Sequence, residues 1–306
     1  MITVVIPTHN PKSAFLERTL EALRGQTMPP EKWELLIIDN ASSTPVDSAL
    51  VAWHPAARIV REMELGLTHA RLRAIREARG ALMVWVDDDN VLDASYLERA
   101  AAAFEKSPRL GAAGGRSIPE YQEPPPKWFR LGLAPCGCRD LGPEARVATW
   151  DAAKPEYPAC APIGAGMVIR KEAMVPWAEA VVADPRRQAL GRKGKSLTSG
   201  EDNDINLTVL RGGWDLGYLP ELSLTHLIPG TRLTLDYVTR IARVSYRDFV
   251  RVLDIHGIRP WPRISRLTIP VRSFRAWLAC KGWRGPVERI RWQSAVGQFE
   301  GRAQLE

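Results

Sequence analysis

The chain has 306 residues, of which 45% are hydrophobic and 25% are charged. This composition is ordinary for a soluble globular protein, and the length suits one large domain or two smaller ones. The few, unevenly spaced cysteines exclude a disulfide framework and a paired CxxC zinc site, and they favour a reducing, cytoplasmic setting. They are Cys136, Cys138, Cys160 and Cys280.

The net charge of +7 is concentrated in the last quarter of the chain. Residues 231–306 hold 15 Lys or Arg against 6 Asp or Glu, whereas residues 1–230 hold 27 against 29. Such a basic segment favours an anionic partner, and we expect a membrane surface or a lipid phosphate rather than nucleic acid. Neither a transmembrane helix nor a secretory leader is expected, because no run of about 18 apolar residues and no signal-peptide pattern is present.

Strand-like and helix-like segments alternate over the first 110 residues. Short, nearly continuous apolar runs predict buried strands, and apolar residues at helical spacing predict helices. The predicted strands are 2–6, 33–38, 58–61 and 84–89, and the predicted helices are 13–26, 66–79 and 94–106. This alternation predicts an α/β fold with a doubly wound, mainly parallel sheet and helices on both faces.

Polar residues follow three of the predicted strands. Ligands of open parallel sheets bind at the carboxyl ends of the strands, so we expect these residues to share one edge. A glycine-rich dinucleotide turn and a P-loop are both absent after the first strand, which predicts that a nucleotide would bind without a glycine cradle. The three groups are Thr8-His9-Asn10, Asp39-Asn40 and Asp87-Asp88-Asp89.

Three adjacent carboxylates end the apolar run from Ala81 to Val86. Burying them unpaired would be costly, and each disfavours the ionised form of its neighbours. A hard divalent cation such as Mg²⁺ or Mn²⁺ would relieve both problems. The alternative is a solvated turn in which acids happen to cluster.

The middle of the chain offers further candidates, each with a structural alternative. The proline-rich stretch 118–162 carries aromatic residues that either stack on sugars or anchor the loop to the core. Gly164 and Gly166 permit close approach to a ligand or a tight turn. Asp202 is either a functional acid or part of a capping box with Ser199. His226 is either a ligand or a satisfied core histidine.

The end of the chain is predicted to be helical. A helix is expected over 236–255, followed by Trp and Arg residues at loose helical spacing up to about residue 300. That segment suits a membrane interface, or it forms a helical pair packed on the domain. We therefore divide the chain into a domain over 1–235 and a helical C-terminal extension over 236–306. Within the domain, 1–117 is the expected nucleotide-binding half and 118–235 the acceptor and catalytic half.

Taken in order, these features resemble the inverting nucleotide-sugar glycosyltransferases of family 2, which have the GT-A fold. The resemblance covers residues 1 to about 235. The matching segments are Val4-Val-Ile-Pro-Thr-His-Asn10, Ile37-Ile-Asp-Asn-Ala-Ser42, Gly66-Leu-Thr-His-Ala-Arg71, Asp87-Asp-Asp89, Gly164-Ala-Gly166, Gly200-Glu-Asp202 and His226.

The resemblance implies a nucleotide site on the first half of the domain. Pro7 and Thr8 would line the nucleotide pocket, and Asp39 would accept a hydrogen bond from the base, usually uracil. Arg71 would lie near the base or the diphosphate, and Asp87 near the ribose.

It also implies the residues that handle the sugar and the leaving group. Asp89 and His226 would bind the divalent metal, Mn²⁺ or Mg²⁺, and Asp202 would be the general base. The remaining residues of the implied donor site are Asp88, Gly164, Ala165, Gly166, Glu201 and Arg232.

The implied reaction is sugar transfer with inversion, from a nucleoside-diphosphate sugar to a saccharide or lipid-linked acceptor. A UDP-sugar is the favoured donor, and polysaccharide or glycolipid synthesis at the inner face of the cell membrane is the expected setting. Such a reaction needs one base and one means of stabilising the leaving diphosphate, and the sequence offers an acid for each task. The alternatives are a nucleotidyltransferase, which would want a glycine-rich basic loop after the first strand, and a non-catalytic nucleotide-sugar binding module.

Overall fold

The computed structural model describes residues 1–194 and 196–305, so Glu306 of the predicted extension lies outside the described residues. The chain divides into two compact units. The first comprises Met1–Glu120, Gly137–Pro185 and Ile205–Leu227, and the second comprises Tyr121–Cys136, Arg186–Asp204 and Ile228–Glu306.

Strands and helices alternate in the first half of the chain, and helices dominate its end. The strands are β1 (Ile2–Thr8), β2 (Trp33–Asn40), β3 (Ala57–Glu62), β4 (Leu82–Trp85), β5 (Asn90–Leu92), β6 (Leu110–Tyr121), β7 (Arg146–Ala148), β8 (Val168–Arg170) and β9 (Asp215–Ile228). The α-helices are α1 (Ser13–Arg24), α2 (Leu67–Glu77), α3 (Tyr96–Lys106), α4 (Lys171–Ala183), α5 (Pro185–Gln188), α6 (Glu201–Arg211), α7 (Leu235–Ile255), α8 (Ile269–Cys280) and α9 (Pro286–Arg302).

Within the described residues, the strands form one nine-stranded sheet in the order β3-β2-β1-β4-β8-β6-β9-β5, with β7 also paired to β9. The predicted α/β class is confirmed. The parallel arrangement holds for β3, β2, β1 and β4, which are joined by crossover segments. Beyond β4 the sheet is mixed, because β8 runs antiparallel to both β4 and β6, and β9 runs antiparallel to β5 and β7.

Apolar side chains cover both faces of the strands β1, β2 and β4. Val4 and Ile6 of β1 share a core with α1 and α3. Val5, between them, points to the opposite face and is also fully buried. On the sheet, α2 packs against β1 and β2, and α4 packs against β8 and α2. Two covered faces explain why these strands are apolar at nearly every position.

One predicted strand ends earlier than expected. The strand after Gly80 ends at Trp85, so Asp87–Asp89 lie in the turn that follows and not on the strand. Asn90 holds this turn. Its side-chain Oδ1 accepts from the Asp87 amide at 3.2 Å, and its backbone amide donates to the Asp87 carbonyl at 3.0 Å.

The second unit is built around α7 and α9, which pack along each other. Val238, Ala242 and Ile290 form a small core there, and Trp128 and Phe129 of the proline-rich stretch pack against it. These two aromatics therefore anchor their loop. Among the described helices, none combines the length and apolarity needed to cross a bilayer.

A buried carboxylate ties the start of the sheet together. Glu34 of β2 accepts hydrogen bonds from Thr3 Oγ1 at 2.7 Å, from the Arg79 amide at 2.6 Å and from Arg58 Nη2 at 3.2 Å. Burial alone would raise the pKa of Glu34, but these hydrogen bonds and the Arg58 charge outweigh burial and hold the pKa below its ordinary value.

We expect Glu34→Gln to destabilise the protein by about 1–3 kcal/mol at pH 7, because a buried charge-assisted network is broken. A carboxyl whose pKa is lowered by folding stabilises the fold above its ordinary pKa of 4.5, and this contribution is lost as the pH falls below that value. Urea unfolding should therefore show a gap between the two proteins that narrows from pH 7 towards pH 4. The exposed Glu21→Gln is the control, and an equal gap at both pH values would contradict the assignment.

Candidate functional site

The carboxyl ends of β1 and β2 lie side by side in the first unit. The strands pair in parallel with Thr8 opposite Asp39, and Pro7 opposite Ile38. Beyond the pair, His9 Nδ1 lies 2.7 Å from the Asn40 carbonyl oxygen. The polar groups expected along one edge of the sheet are thus brought together for these two strands.

Asp39 is buried and holds the loop that follows β2. Its carboxylate accepts from the Ser42 amide at 3.2 Å and from the Val46 amide at 3.4 Å. Arg61 Nη1 lies 3.8 Å from the same carboxylate. Asp39 therefore shapes the loop in addition to any contact that it makes with a base.

Arg71 is held over the last residue of β4. Its guanidinium lies 5.4 Å from the centre of the Trp85 ring, which is a cation–π distance, and both side chains are buried. The start of its helix is fixed by Asn40, whose Oδ1 accepts from the Gly66 amide at 2.7 Å. The ends of β2 and β4 and the start of α2 thus form one connected region.

The three carboxylates after β4 have different surroundings. Asp88 accepts a hydrogen bond from the Thr8 hydroxyl, which links this turn to the end of β1. Asp89 is buried, whereas Asp87 and Asp88 are half-buried. The Asp89 carboxylate accepts from Asn90 Nδ2 at 3.1 Å. Within the cluster, Asp88 therefore links the turn to β1, and Asp89 is the buried acid.

Asp89 meets His226 across the β5–β9 ladder. Asn90 pairs with His226, and the Leu227 amide donates to the Asp89 carbonyl at 2.8 Å. This register places His226 Nε2 3.3 Å from Asp89 Oδ1, with both side chains buried. The two residues predicted to bind metal are thus in contact.

The other nitrogen of the His226 ring faces the backbone of Gly137. Nδ1 lies 3.1 Å from the Gly137 carbonyl, to which an Nδ1–H can donate. Gly137 has a φ of +72°, and a Cβ there would lie 2.5 Å from His226 Cε1. Only glycine suits this position. The sequence analysis missed this role of Gly137, although the glycine between two cysteines was a visible signal.

This pair fits a divalent cation. When His226 Nδ1–H donates to the Gly137 carbonyl, the lone pair of Nε2 faces the Asp89 carboxylate oxygen. Such an arrangement needs a proton or a cation between Nε2 and that oxygen. Two neighbouring ligands of an octahedral ion, each about 2.1 Å from it, lie about 3 Å apart. In the described part of the chain no group of three or more His, Cys, Asp or Glu could hold a metal.

The Gly164–Gly166 segment lies against the end of β4. The Gly166 amide donates to the Trp85 carbonyl at 2.9 Å, and Tyr96 donates its hydroxyl to the Gly166 carbonyl. Gly166 has a φ of +72°, and a Cβ there would lie 2.4 Å from Leu224 Cδ2. The segment is a tight turn packed beside the strand that leads to the three carboxylates, and Ala165 within it is buried.

The remaining predicted site residues belong to the second unit. Glu201 and Asp202 form the first turn of α6, and Arg232 lies in a short 3-10 turn, Gly230–Leu233. Glu201 is buried and Asp202 is half-buried, and Asp202 Oδ1 accepts from the Asn203 amide at 3.0 Å. The helix begins one residue later than a cap by Ser199 would require.

A buried ion pair fixes the first turn of α6. Asp204 Oδ1 lies 2.7 Å from His256 Nε2 and 2.8 Å from Arg187 Nη1, and Asp204 and His256 are both buried. The sequence analysis missed this triad, because its members are far apart in the chain. It holds the backbone beside Asp202 in one position.

Residues 3–150 match the sequence model of the family described as glycosyl transferase family 2. This range, just under half of the chain, is similar to a family 2 glycosyltransferase domain. The matched range includes Thr8, Asp39, Arg71 and Asp87–Asp89, the residues that gather around the ends of β1, β2 and β4.

A curated relative that matches most of the chain is named as a glycosyltransferase. An N-acetylglucosaminyltransferase of Azorhizobium caulinodans is 23% identical over 267 residues, which are 83% of this chain and 62% of that relative. This chain spans between 12% and 62% of the length of the curated relatives that it matches.

Two solved structures show that the fold is GT-A. The mannosyltransferase PcManGT from Pyrobaculum calidifontis, in complex with GDP-Man and Mn²⁺, has a TM-score of 0.56 and 20% identity over 95% of this chain and 73% of that chain. S. aureus TarS 1–349 in complex with UDP-GlcNAc has a TM-score of 0.54 and 12% identity, over 97% of this chain and 89% of that one.

We expect Gly137→Ala to weaken Mn²⁺-dependent UDP binding by about tenfold, because the new Cβ displaces the His226 ring and removes its second hydrogen bond. Isothermal titration calorimetry with and without Mn²⁺ measures this effect. Gly142→Ala is the matched control, since Gly142 also has a positive φ, +94°, but a Cβ there meets no atom within 4 Å. Equal loss in both variants would show that backbone strain, and not the His226 contact, is responsible.

Proposed function

We propose that this protein is a glycosyltransferase that moves a sugar from a nucleoside-diphosphate sugar to a saccharide or lipid-linked acceptor, with inversion at the anomeric carbon. The observation that carries the proposal is the buried Asp89–His226 contact in the first unit. This contact lies just beyond the end of β4. In the turn that follows β4, Asp88 accepts a hydrogen bond from Thr8, and Thr8 lies opposite Asp39 in the sheet.

A divalent cation, Mn²⁺ or Mg²⁺, is the proposed cofactor at Asp89 and His226. When bound, it would offset the negative charge that develops on the leaving diphosphate. The protein's contribution is to hold the two ligand atoms at a fixed separation, through the β5–β9 ladder and the Gly137 carbonyl. The structure of PcManGT, which has a similar fold, is a complex with GDP-Man and Mn²⁺, and this supports the choice of metal.

Asp202 is the proposed general base. A base must take the proton of the acceptor hydroxyl as that oxygen attacks the sugar. Asp202 is half-buried in the first turn of α6, and its Oδ1 accepts from the Asn203 amide at 3.0 Å. The buried Asp204–His256–Arg187 triad would keep this turn from shifting.

For the donor, we propose a UDP-sugar, with UDP-N-acetylglucosamine the first to test. Asp39 is placed at the end of β2 with both carboxylate oxygens engaged by its own loop, so that it forms a rigid acceptor for a base N–H. The similarity to an N-acetylglucosaminyltransferase and to a UDP-GlcNAc complex supports the sugar. The proposed setting is polysaccharide or glycolipid synthesis at the inner face of the membrane.

We expect Asp202→Asn to fold and to bind UDP-sugar with unchanged affinity, while its transfer rate falls by about 10²- to 10⁴-fold, because an amide cannot accept the acceptor proton. Asp236→Asn is the matched control, since Asp236 is an exposed acid in the first turn of α7. Transfer is measured as nucleoside diphosphate released in the presence of an acceptor library.

The same assay separates the other reactions. Released nucleoside diphosphate supports glycosyl transfer, whereas released pyrophosphate would make the protein a nucleotidyltransferase. Binding of the donor with no turnover on any acceptor would make it a binding module. Near-normal turnover of Asp202→Asn would contradict the assignment of the base.

A further inference from the structure

The first turn and helix that follow the long α7 expose a continuous apolar stripe. Leu267 is 90% exposed, and Val271, Phe274 and Leu278 are between 46% and 59% exposed. Their spacing of four, three and four residues places all four side chains on one side of a helix. We call Leu267, Val271, Phe274 and Leu278 the α8 stripe.

The opposite side of α8 packs against α9, which belongs to the same unit. α8 contacts α9, and Trp292 Nε1 of α9 donates to the Ser273 carbonyl at 3.0 Å. None of the residues of α8 is buried. The helix is therefore attached along one face, and its apolar stripe is the face left open.

Tryptophans extend the stripe at its carboxyl end. The Trp277 ring stacks on Phe274 with centroids 6.0 Å apart, and Trp283 lies 4.9 Å from Trp277. Trp283 is 56% exposed. Indole rings favour the boundary between the acyl chains and the headgroups of a bilayer.

The charge around the stripe has a single sign. Residues 258–285 contain seven Lys or Arg and no Asp or Glu. Arg266 and Arg275 are exposed next to stripe residues. An open cavity of about 840 Å³ near the start of the stripe is lined by Arg263, Ser265 and Arg266, among others. These groups offer hydrogen-bond donors to an anionic headgroup.

Two further guanidinium groups lie close enough to repel each other. Burial, and then the nearby charge of Arg272, lower the pKa of Arg302. The Arg302 Nε donates to the Pro262 carbonyl at 3.1 Å, which keeps the group in place. Cations held together in this way favour an anion beside them.

We propose that α8 and the turn before it dock on an anionic lipid bilayer, with the α8 stripe inserted at the level of the headgroups and the arginines on lipid phosphates. A helix with an apolar stripe, interfacial tryptophan and a cationic border has the composition of an interfacial membrane helix. A second copy of this chain is a poorer occupant, because it would bring two surfaces of the same positive charge together.

From the sequence, a membrane contact is expected along the whole segment that follows α7. The proposal confines this contact to one helix, α8, and the turn before it. α9, which also carries Trp and Arg, instead packs on α7. The proposal does not require that the protein be a glycosyltransferase, and its test below involves no turnover. A failure of the docking test would therefore leave the proposed reaction untouched.

The test is co-sedimentation of the full chain with vesicles of phosphatidylcholine, alone or with about one third phosphatidylglycerol. Wild-type protein should bind the anionic vesicles, and its partition coefficient should fall about tenfold when salt is raised from about 0.05 M to about 0.5 M. The stripe variant Val271→Asp/Phe274→Asp should lose at least about tenfold in binding. The charge variant Arg266→Glu/Arg275→Glu should lose binding and most of its salt dependence.

The matched control is Val147→Asp/Val182→Asp, which also introduces two aspartates, at apolar positions of the first unit that are 61% and 66% exposed. It should bind as the wild type does. Circular dichroism establishes that all variants are folded. Binding by the stripe variant equal to that of wild type would overturn the proposal. A second outcome would also overturn it: light scattering shows that the wild type is a dimer and the stripe variant a monomer, and neither protein binds vesicles.

Discussion

A buried carboxylate that faces an imidazole nitrogen is the contact on which the rest of the first unit's site depends. Asp89 and His226 are held 3.3 Å apart by the β5–β9 ladder on one side and by the Gly137 carbonyl on the other. Two acceptor atoms that close, away from water, require a proton or a cation between them. The proposed metal would meet this constraint, and the need for a glycine at 137 comes from the same His226 ring.

The sequence predicts the parts of the site that are local. An apolar run that stops at a polar residue marks a strand end, and this rule located Thr8, Asp39 and the three carboxylates. It could not show that the turn begins after Trp85, because that depends on the Asn90 side chain. Nor could it decide between a ligand and a core histidine at His226, since the partner strand β5 is remote in sequence and only three residues long.

The second unit shows the same limit in its helices. The helical spacing of apolar residues predicts α7 and the helices after it. The same spacing occurs whether the apolar face packs on the protein or is exposed, so it does not tell which of the two applies. Trp128 and Phe129 anchor a loop to the α7 core, whereas Phe274 and Trp283 remain exposed. Asp204, which lies two residues from the proposed base, is buried against His256 and Arg187 and could only be recognised once the fold brought these residues together.

The most direct test of the account is a crystal structure of the protein with UDP and Mn²⁺, measured at a wavelength where manganese scatters anomalously. The account predicts one anomalous peak within coordination distance, about 2.0–2.4 Å, of both Asp89 and His226 Nε2, and in contact with the diphosphate. A peak on other residues, or bound UDP with no peak at this pair, would contradict it.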